Sequence, residues 1–344
     1  FAHTRNAPLS ADVIILDETS MVGEELFLSL ISAIRSGAKL IMLGDVKQLH
    51  PMAVGNILAD CLNSGYGPAS RLTKIHRQAM RSGIVSQAIK VSNGESIVKG
   101  DFQGEEVRGE LKDFKIISSF SQDLVHLNVI NEFKRLHDVQ GVPYNDIQVI
   151  VPTRVRGTVS CKVLNEIIQE IVNPGKEDKT VSIDYVDNGI KCTVFFKPGD
   201  RIIVNHNNYR ALGLDGKDKT IFNGNIGFIK ETTAEYMIIS LPDPDQGDII
   251  LEKEDWNNIN LAYCITCHKL QGSQAPYTII GIDGAAYAML SREWLYTAIT
   301  RAQQYCALVA QPKMCNVATR TSSIRLKQTW LKNQLIKFNV EGKI

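Results

Sequence analysis

The chain has 344 residues, 44% apolar and 22% charged, with a formal net charge of +1. That composition fits folded globular domains and excludes a disordered or fibrous polypeptide; no apolar run reaches transmembrane length, so no membrane partner is expected. With so little net charge, any nucleic-acid contact must come from local lysines, arginines and backbone amides, and seven scattered cysteines favour reduced thiols in a cytoplasmic protein over a disulfide framework.

Val13–Leu16 is a short, β-branched run that predicts a buried parallel strand, and it carries Asp17-Glu18 to the strand's carboxyl end, where open α/β sheets bind ligands. Residues 23–35 have apolar side chains at helical spacing. Leu40–Leu43 predicts a second buried strand, followed by Gly44-Asp45 and Gln48. A rim with two acidic groups and an amide suits hydrolysis of a nucleoside triphosphate. Asp17 would hold Mg²⁺ through its water shell, Glu18 would act as general base toward the attacking water, and Gln48 would report on the γ-phosphate. An acidic pair after a strand is as often a helix cap or a solvated turn, so context has to decide.

Farther along, the glycine- and charge-rich residues 94–109 read as a linker or exposed hairpin. Strands are expected at 114–117 and 146–151, a helix at 122–136, and Thr153-Arg154 at a strand end. Between 198 and 260, short β-rich runs (201–205, 226–230, 237–241, 248–251) separated by turn residues argue for a small barrel. Then come a buried strand at 279–283, a helix at 290–300, a late strand at 305–310 and an amphipathic helix at 322–337. Cys264–His268 matches C-x-x-C-H, the haem-attachment pattern, but it joins a buried-strand run to HKLQGSQ, which a haem domain does not explain.

The context is an ordered set of blocks: DETSM at 17–21, GDVKQLHPM at 44–52, VGNILADCLNSG at 54–65, RLTKIHRQ at 71–78, VIVPTRVRGTVSCKVLN at 149–165, PGDRIIVNHNNY at 198–209, FNGNIGFI at 222–229, AYCITCHKLQGSQ at 262–274 and WLYTAITRA at 294–302. Together they resemble superfamily 1 helicases of the RecD-like branch over nearly the whole chain. The resemblance implies an α/β fold of tandem RecA-like motor domains with an inserted SH3-like β-barrel. It implies an ATP-dependent DNA helicase moving 5′ to 3′ on single-stranded DNA, with ATP and Mg²⁺ as cofactors, in DNA repair or recombination. On it, residues 1–105 belong to the first motor domain, 106–199 and 261–344 to two segments of the second, and 200–260 to the barrel.

The same resemblance implies roles by position. Asp17, Glu18, Gln48, Arg77, Gly272 and Arg301 would contact the nucleotide, with Glu18, Gln48, Arg77 and Arg301 in catalysis and Arg301 as the arginine finger. His50, Thr153, Arg154, Asn208, Thr266, His268, Lys269 and Ser273 would contact DNA; for Thr153 and Arg154 an N-cap and a solvated arginine are the plain alternatives, and turn-forming asparagines that for Asn208.

One departure stands out. The phosphate-binding loop G-x-x-x-x-G-K-[ST] occurs nowhere in these residues. The chain therefore reads as the carboxyl-terminal part of a longer helicase, inactive alone, whose P-loop segment is supplied by the same or another chain; nuclease or replication proteins would be further partners. Two readings compete. In one the chain is a non-catalytic module that binds single-stranded DNA or a partner; in the other, within the class, it is a relaxase-associated or Pif-type helicase domain. An electron-transfer role would rest on Cys264–His268 alone.

Overall fold

The computed structural model describes residues 1–51, 53–73, 79–187, 189–243, 245–323 and 329–341. In chain order the elements are β1 Val13–Leu16, α1 Glu24–Ala33, β2 Lys39–Met42, α2 Ile57–Ser64, α3 Gly83–Ser92, β3 Gly104–Arg108, β4 Phe114–Ser118, α4 Gln122–Lys134, β5 Ile147–Val151 and α5 Cys161–Val172. These are followed by β6 Val181–Asp187, β7 Ile190–Phe196, β8 Arg201–Val204, β9 Asn208–Gly213, β10 Asp218–Ile221, β11 Ile226–Thr232, β12 Tyr236–Ser240, β13 Asp248–Glu252 and β14 Ile259–Leu261. The chain ends with β15 Cys264–Thr266, β16 Ala275–Ile282, α6 Arg292–Thr300, β17 Ala302–Ala310, α7 Pro312–Arg320 and α8 Leu331–Glu341.

A six-stranded sheet in the order β15-β5-β16-β17-β4-β3 forms the centre, parallel except for β3. Both faces are buried, as continuous apolar strands require. Val149, Val151 and Ile279 turn toward α4 and α5, while Ile150, Ile280 and Ile282 turn toward α3 and α6. The polar run Gly104–Arg108 is the antiparallel edge strand of this sheet rather than a linker, and the Lys115–Glu105 ion pair (2.9 Å) ties it to its neighbour.

A second sheet, seven-stranded and in the order β10-β9-β13-β12-β11-β8-β14, has antiparallel pairing throughout. Its joint to the α/β core is a polar stripe on α5. Asn165, Gln169 and Asn173 recur every four residues, so they share one helix face, and all three are buried. Asn165 Nδ2 donates to the Cys264 carbonyl (2.8 Å), while Gln169 and Asn173 donate to the Asp200 carboxylate just before β8. The β6–β7 hairpin is a separate two-stranded sheet.

Near the start of the chain, β1 and β2 pair in parallel. Gly44 lets their carboxyl ends approach closely: a Cβ there would lie 3.1–3.2 Å from the backbone nitrogens of Ser20 and Thr19 and 2.8 Å from Leu58 Cδ2. The expected burial of these strands does not hold, since Ile15 is 63% exposed and Val13, Ile41 and Leu43 are also exposed. A continuous apolar run predicts cover on both faces, but here burial alternates along each strand, so only one face is covered. Of the expected helix at 322–337, residues 324–328 lie outside the described residues, and the described remainder is helical only from Leu331 on. Ser322 and Ser323 are nonhelical and bound to the Glu293 carboxylate, and α8 begins at Leu331 and packs on α2.

Candidate functional site

At the carboxyl end of β1, Asp17 is exposed and its Oδ1 accepts the backbone N–H of Glu18 at 2.8 Å. Glu18 holds a left-handed backbone, φ 48° and ψ 40°, which is rare outside glycine and costs on the order of 1–3 kcal/mol; such strain gathers at working sites. The next strand end contributes Asp45, whose Oδ1 accepts Lys47 N (2.9 Å), and Gln48, whose Oε1 is buried with no hydrogen-bond partner among the described residues.

Three hydrogen bonds clamp the segment 45–49 to the second half of the chain. Tyr296 Oη donates to Asp45 Oδ2 (2.8 Å), Leu49 N donates to Thr297 Oγ1 (2.8 Å), and Gln271 Nε2 donates to the Leu49 carbonyl (2.9 Å). Tyr296 and Thr297 are neighbours on α6, which ends at Arg301. That arginine is 4% exposed; its Nη1 donates to the Ser273 carbonyl (3.1 Å) and its Nε to the Thr297 carbonyl (3.2 Å). Burial, and then the Asp45 charge, push the Tyr296 phenol well above its ordinary range, so it remains a donor.

A second cluster surrounds the start of the 3-10 turn after β15. A cavity of about 350 Å³ opens between α5, the β6–β7 hairpin, β8 and this turn, and Arg154, Thr266, His268 and Lys269 are on its wall. Arg154 pairs with Asp187 at 2.9 Å. Lys269 Nζ donates to Asn205 Oδ1 (2.9 Å) and Asn223 Oδ1 (3.1 Å). Its ammonium is held below the usual lysine range by burial and then by the charge of Arg154, and burial alone lowers His268.

Comparisons with known proteins agree on one kind of relative. A family model described as "UvrD-like helicase C-terminal domain" matches residues 261–309, and one described as "AAA domain" matches residues 3–110. The ATP-dependent RecD2 DNA helicase of Deinococcus radiodurans is 28% identical over 304 residues, covering 88% of this chain and 37% of the relative. The RecBCD enzyme subunit RecD of Mycolicibacterium smegmatis is 24% identical, covering 94% and 54%. The chain is a relative of the RecD-like superfamily 1 helicases. It spans about a third to a half of the length of those two RecD proteins. In fold it also resembles a Bacteroides Pif1 helicase solved with ADP-AlF3 and ssDNA, at 17% identity and a TM-score of 0.50, covering 98% of this chain and 78% of that one; the RecA-like α/β sheet is the shared feature.

Against the RecD-like expectations, the clamp joins the segment that holds Gln48 to the helix that leads to Arg301, whose own guanidinium is turned to the Ser273 and Thr297 carbonyls, and Arg154, Thr266, His268 and Lys269 line the cavity. Gly272 has φ +77° with open space around it, and Ser273 beside it is exposed. Arg77 lies outside the described residues. Three DNA candidates are placed differently. Thr153 is 4% exposed and its hydroxyl is turned inward to the carbonyls of Arg156 and Val159, both at 3.0 Å, so it neither caps α5, where Ser160 stands, nor faces solvent. His50 is likewise buried. Asn208 uses its Oδ1 on Arg210 N within its own strand, while Asn165, Asn205, Asn223 and Asn260 reach the cavity. Tyr296 and Thr297 are not among the expected site residues, although both sit inside the WLYTAITRA block. As for the C-x-x-C-H pattern, Cys264 and Cys267 are both almost fully buried, with Cys267 Sγ against the Trp294 carbonyl. Burial raises both thiols, that of Cys267 to about 12, which opposes thiolate chemistry such as haem attachment.

Proposed function

We propose that this chain supplies the greater part of the motor of an ATP-dependent helicase of the RecD type, moving 5′ to 3′ on single-stranded DNA. The observation that supports the reading is the three-bond clamp from Asp45 and Leu49 to Gln271, Tyr296 and Thr297, because it joins the segment after β2 to the helix that leads to Arg301. The domain reading is one motor domain over 1–105, a second formed by 106–199 and 261–344, and an SH3-like barrel over 200–260.

The residues present fit part of a nucleotide site. The exposed Asp17 suits Mg²⁺ held through water, and the orphaned Gln48 Oε1 suits a polar group of a ligand; among the described residues no cluster of three or more acidic, histidine or cysteine side chains forms a ready metal cage. The β-phosphate cradle is not among these 344 residues. When bound, Mg²⁺-ATP supplies the phosphoanhydride whose cleavage drives the cycle. Glu18 orients and deprotonates the attacking water, Gln48 and Arg77 read the γ-phosphate, and Arg301 neutralises the charge that develops there. Closure and opening of the cleft advance the strand, because the nucleotide binds the two states unequally. Arg154, Thr266, His268, Lys269 and Ser273 hold the DNA backbone, a contact that positions without reading sequence.

The test compares this chain with a longer one that also carries G-x-x-x-x-G-K-[ST]. DNA-stimulated ATP hydrolysis by the longer chain, near-zero turnover by this one, and displacement of a strand only from a duplex with a 5′ single-stranded tail are expected. If the longer chain binds single-stranded DNA without hydrolysing ATP, the binding-module reading replaces this one.

A further inference from the structure

The cavity beside Lys269 has an electrostatic imbalance. Its other two cations have carboxylate partners: Arg154 pairs with Asp187 at 2.9 Å and Lys162 with Glu166 at 2.7 Å. Among the described residues, Lys269 is held only by the neutral carbonyl oxygens of Asn205 and Asn223. A half-buried ammonium next to an arginine and without an acid is unfavourable for the folded chain on its own, and an anion would relieve it.

The rest of the lining has a different character. Tyr185 and Val194 from the hairpin, Ile203 from β8, Ile265 from β15 and Met289 form apolar wall around a space of about 350 Å³, within the range of ligand sites. Amides stand beside this wall: the oxygens of Asn205 and Asn223 are used by Lys269, and among the described residues their Nδ2 groups have no acceptor. An anion at the rim, a flat apolar body inside, and amide donors for its edge describe one nucleotide unit.

We propose that the cavity takes one unstacked base of the bound single strand, with the adjoining phosphate on Lys269 and Arg154. This rests on the single-strand reading given under Proposed function and adds a base pocket to contacts otherwise made only to backbone. The base leaves the stack of its neighbours and gains the apolar wall; stacking on such surfaces is sequence-tolerant, so the pocket grips any base without selecting one.

The experiment is an abasic scan. This chain is titrated at low salt with a fluorescent single-stranded oligonucleotide short enough to bind in one register, and each interior nucleotide in turn is replaced by an abasic site, which keeps the phosphate and removes the base. One position should weaken binding roughly tenfold while the others change it little. Val194→Trp, which fills the cavity from the hairpin, should weaken the intact oligonucleotide about as much and make that abasic position silent. Met289→Phe, from a half-exposed position, serves if Val194→Trp fails to fold. A flat scan with firm binding overturns the base pocket and leaves the single-strand reading standing, as does an abasic effect that persists in the filled variants. No binding of any oligonucleotide overturns both.

Discussion

Tyr296 Oη and Asp45 Oδ2 lie 2.8 Å apart although 251 positions separate them in sequence, and this bond joins the end of β2 to the helix that carries Arg301. Tyr296→Phe removes the donor and keeps the ring. In a longer chain carrying the P-loop, DNA-stimulated ATP turnover should fall by roughly three- to tenfold, the worth of one such bond, with little change in affinity for single-stranded DNA. Unchanged turnover would mean that the clamp is packing only.

Glu132 is 2% exposed and accepts from Arg135 (2.6 Å), Tyr305 (2.6 Å) and Lys115 (3.2 Å). Burial by itself would raise its carboxyl, but these partners together hold it below the usual glutamate range. A depressed folded value means that its contribution is complete above about pH 4.5 and is lost as pH falls through the folded value. Glu132→Ala should cost roughly 3 kcal/mol in urea unfolding at pH 7, because it strands buried cations, and should flatten the acid limb of the stability profile.

Asp200 is fully buried and gathers hydrogen bonds from Asn173, Gln169, Tyr263 and the Lys197 amide. Its carboxylate therefore fastens the seven-stranded sheet to α5. Asp200→Ala leaves those donors unsatisfied and should lower stability by about 2–4 kcal/mol, read as a drop in urea midpoint at unchanged slope. A loss near zero would show that the joint is held by apolar packing alone.

His268 titrates below its ordinary value of 6.5 because burial disfavours the charged ring. The unfolded chain then binds more protons than the folded one just below that value, so stability is fully present above pH 6.5 and falls as pH drops through the folded value. The melting temperature of this chain without DNA should decline more between pH 7.5 and 5.5 than that of His268→Gln. Parallel declines would contradict the assignment.

Much of this architecture could be read from residue patterns: the mostly apolar runs Ile147–Val151 and Ile279–Ile282 lie in the doubly covered parallel sheet, whereas Val13–Leu16, read the same way, has two of its four residues exposed. The edge strand Gly104–Arg108 gave no such signal: four of its five residues are exposed, and its pairing is a matter of backbone bonds. The hairpin Val181–Phe196 does carry a trace in the sequence, the alternation of Val181, Ile183 and Tyr185. Site residues divided in the same way. Asp17-Glu18 follows a strand and stands out once the ordered blocks around it are read together, whereas the partnership of Asp45 with Tyr296 and the inward turn of Thr153 depend on contacts that no local spacing encodes.

The most direct test of a shared nucleotide site is a mutant cycle on DNA-stimulated ATP hydrolysis in a longer chain carrying the P-loop, with Glu18→Gln, Arg301→Ala and the pair together. If both groups act on one nucleotide, each single change should abolish nearly all turnover and the double should lose little more than either. Full turnover in either single variant would contradict the account.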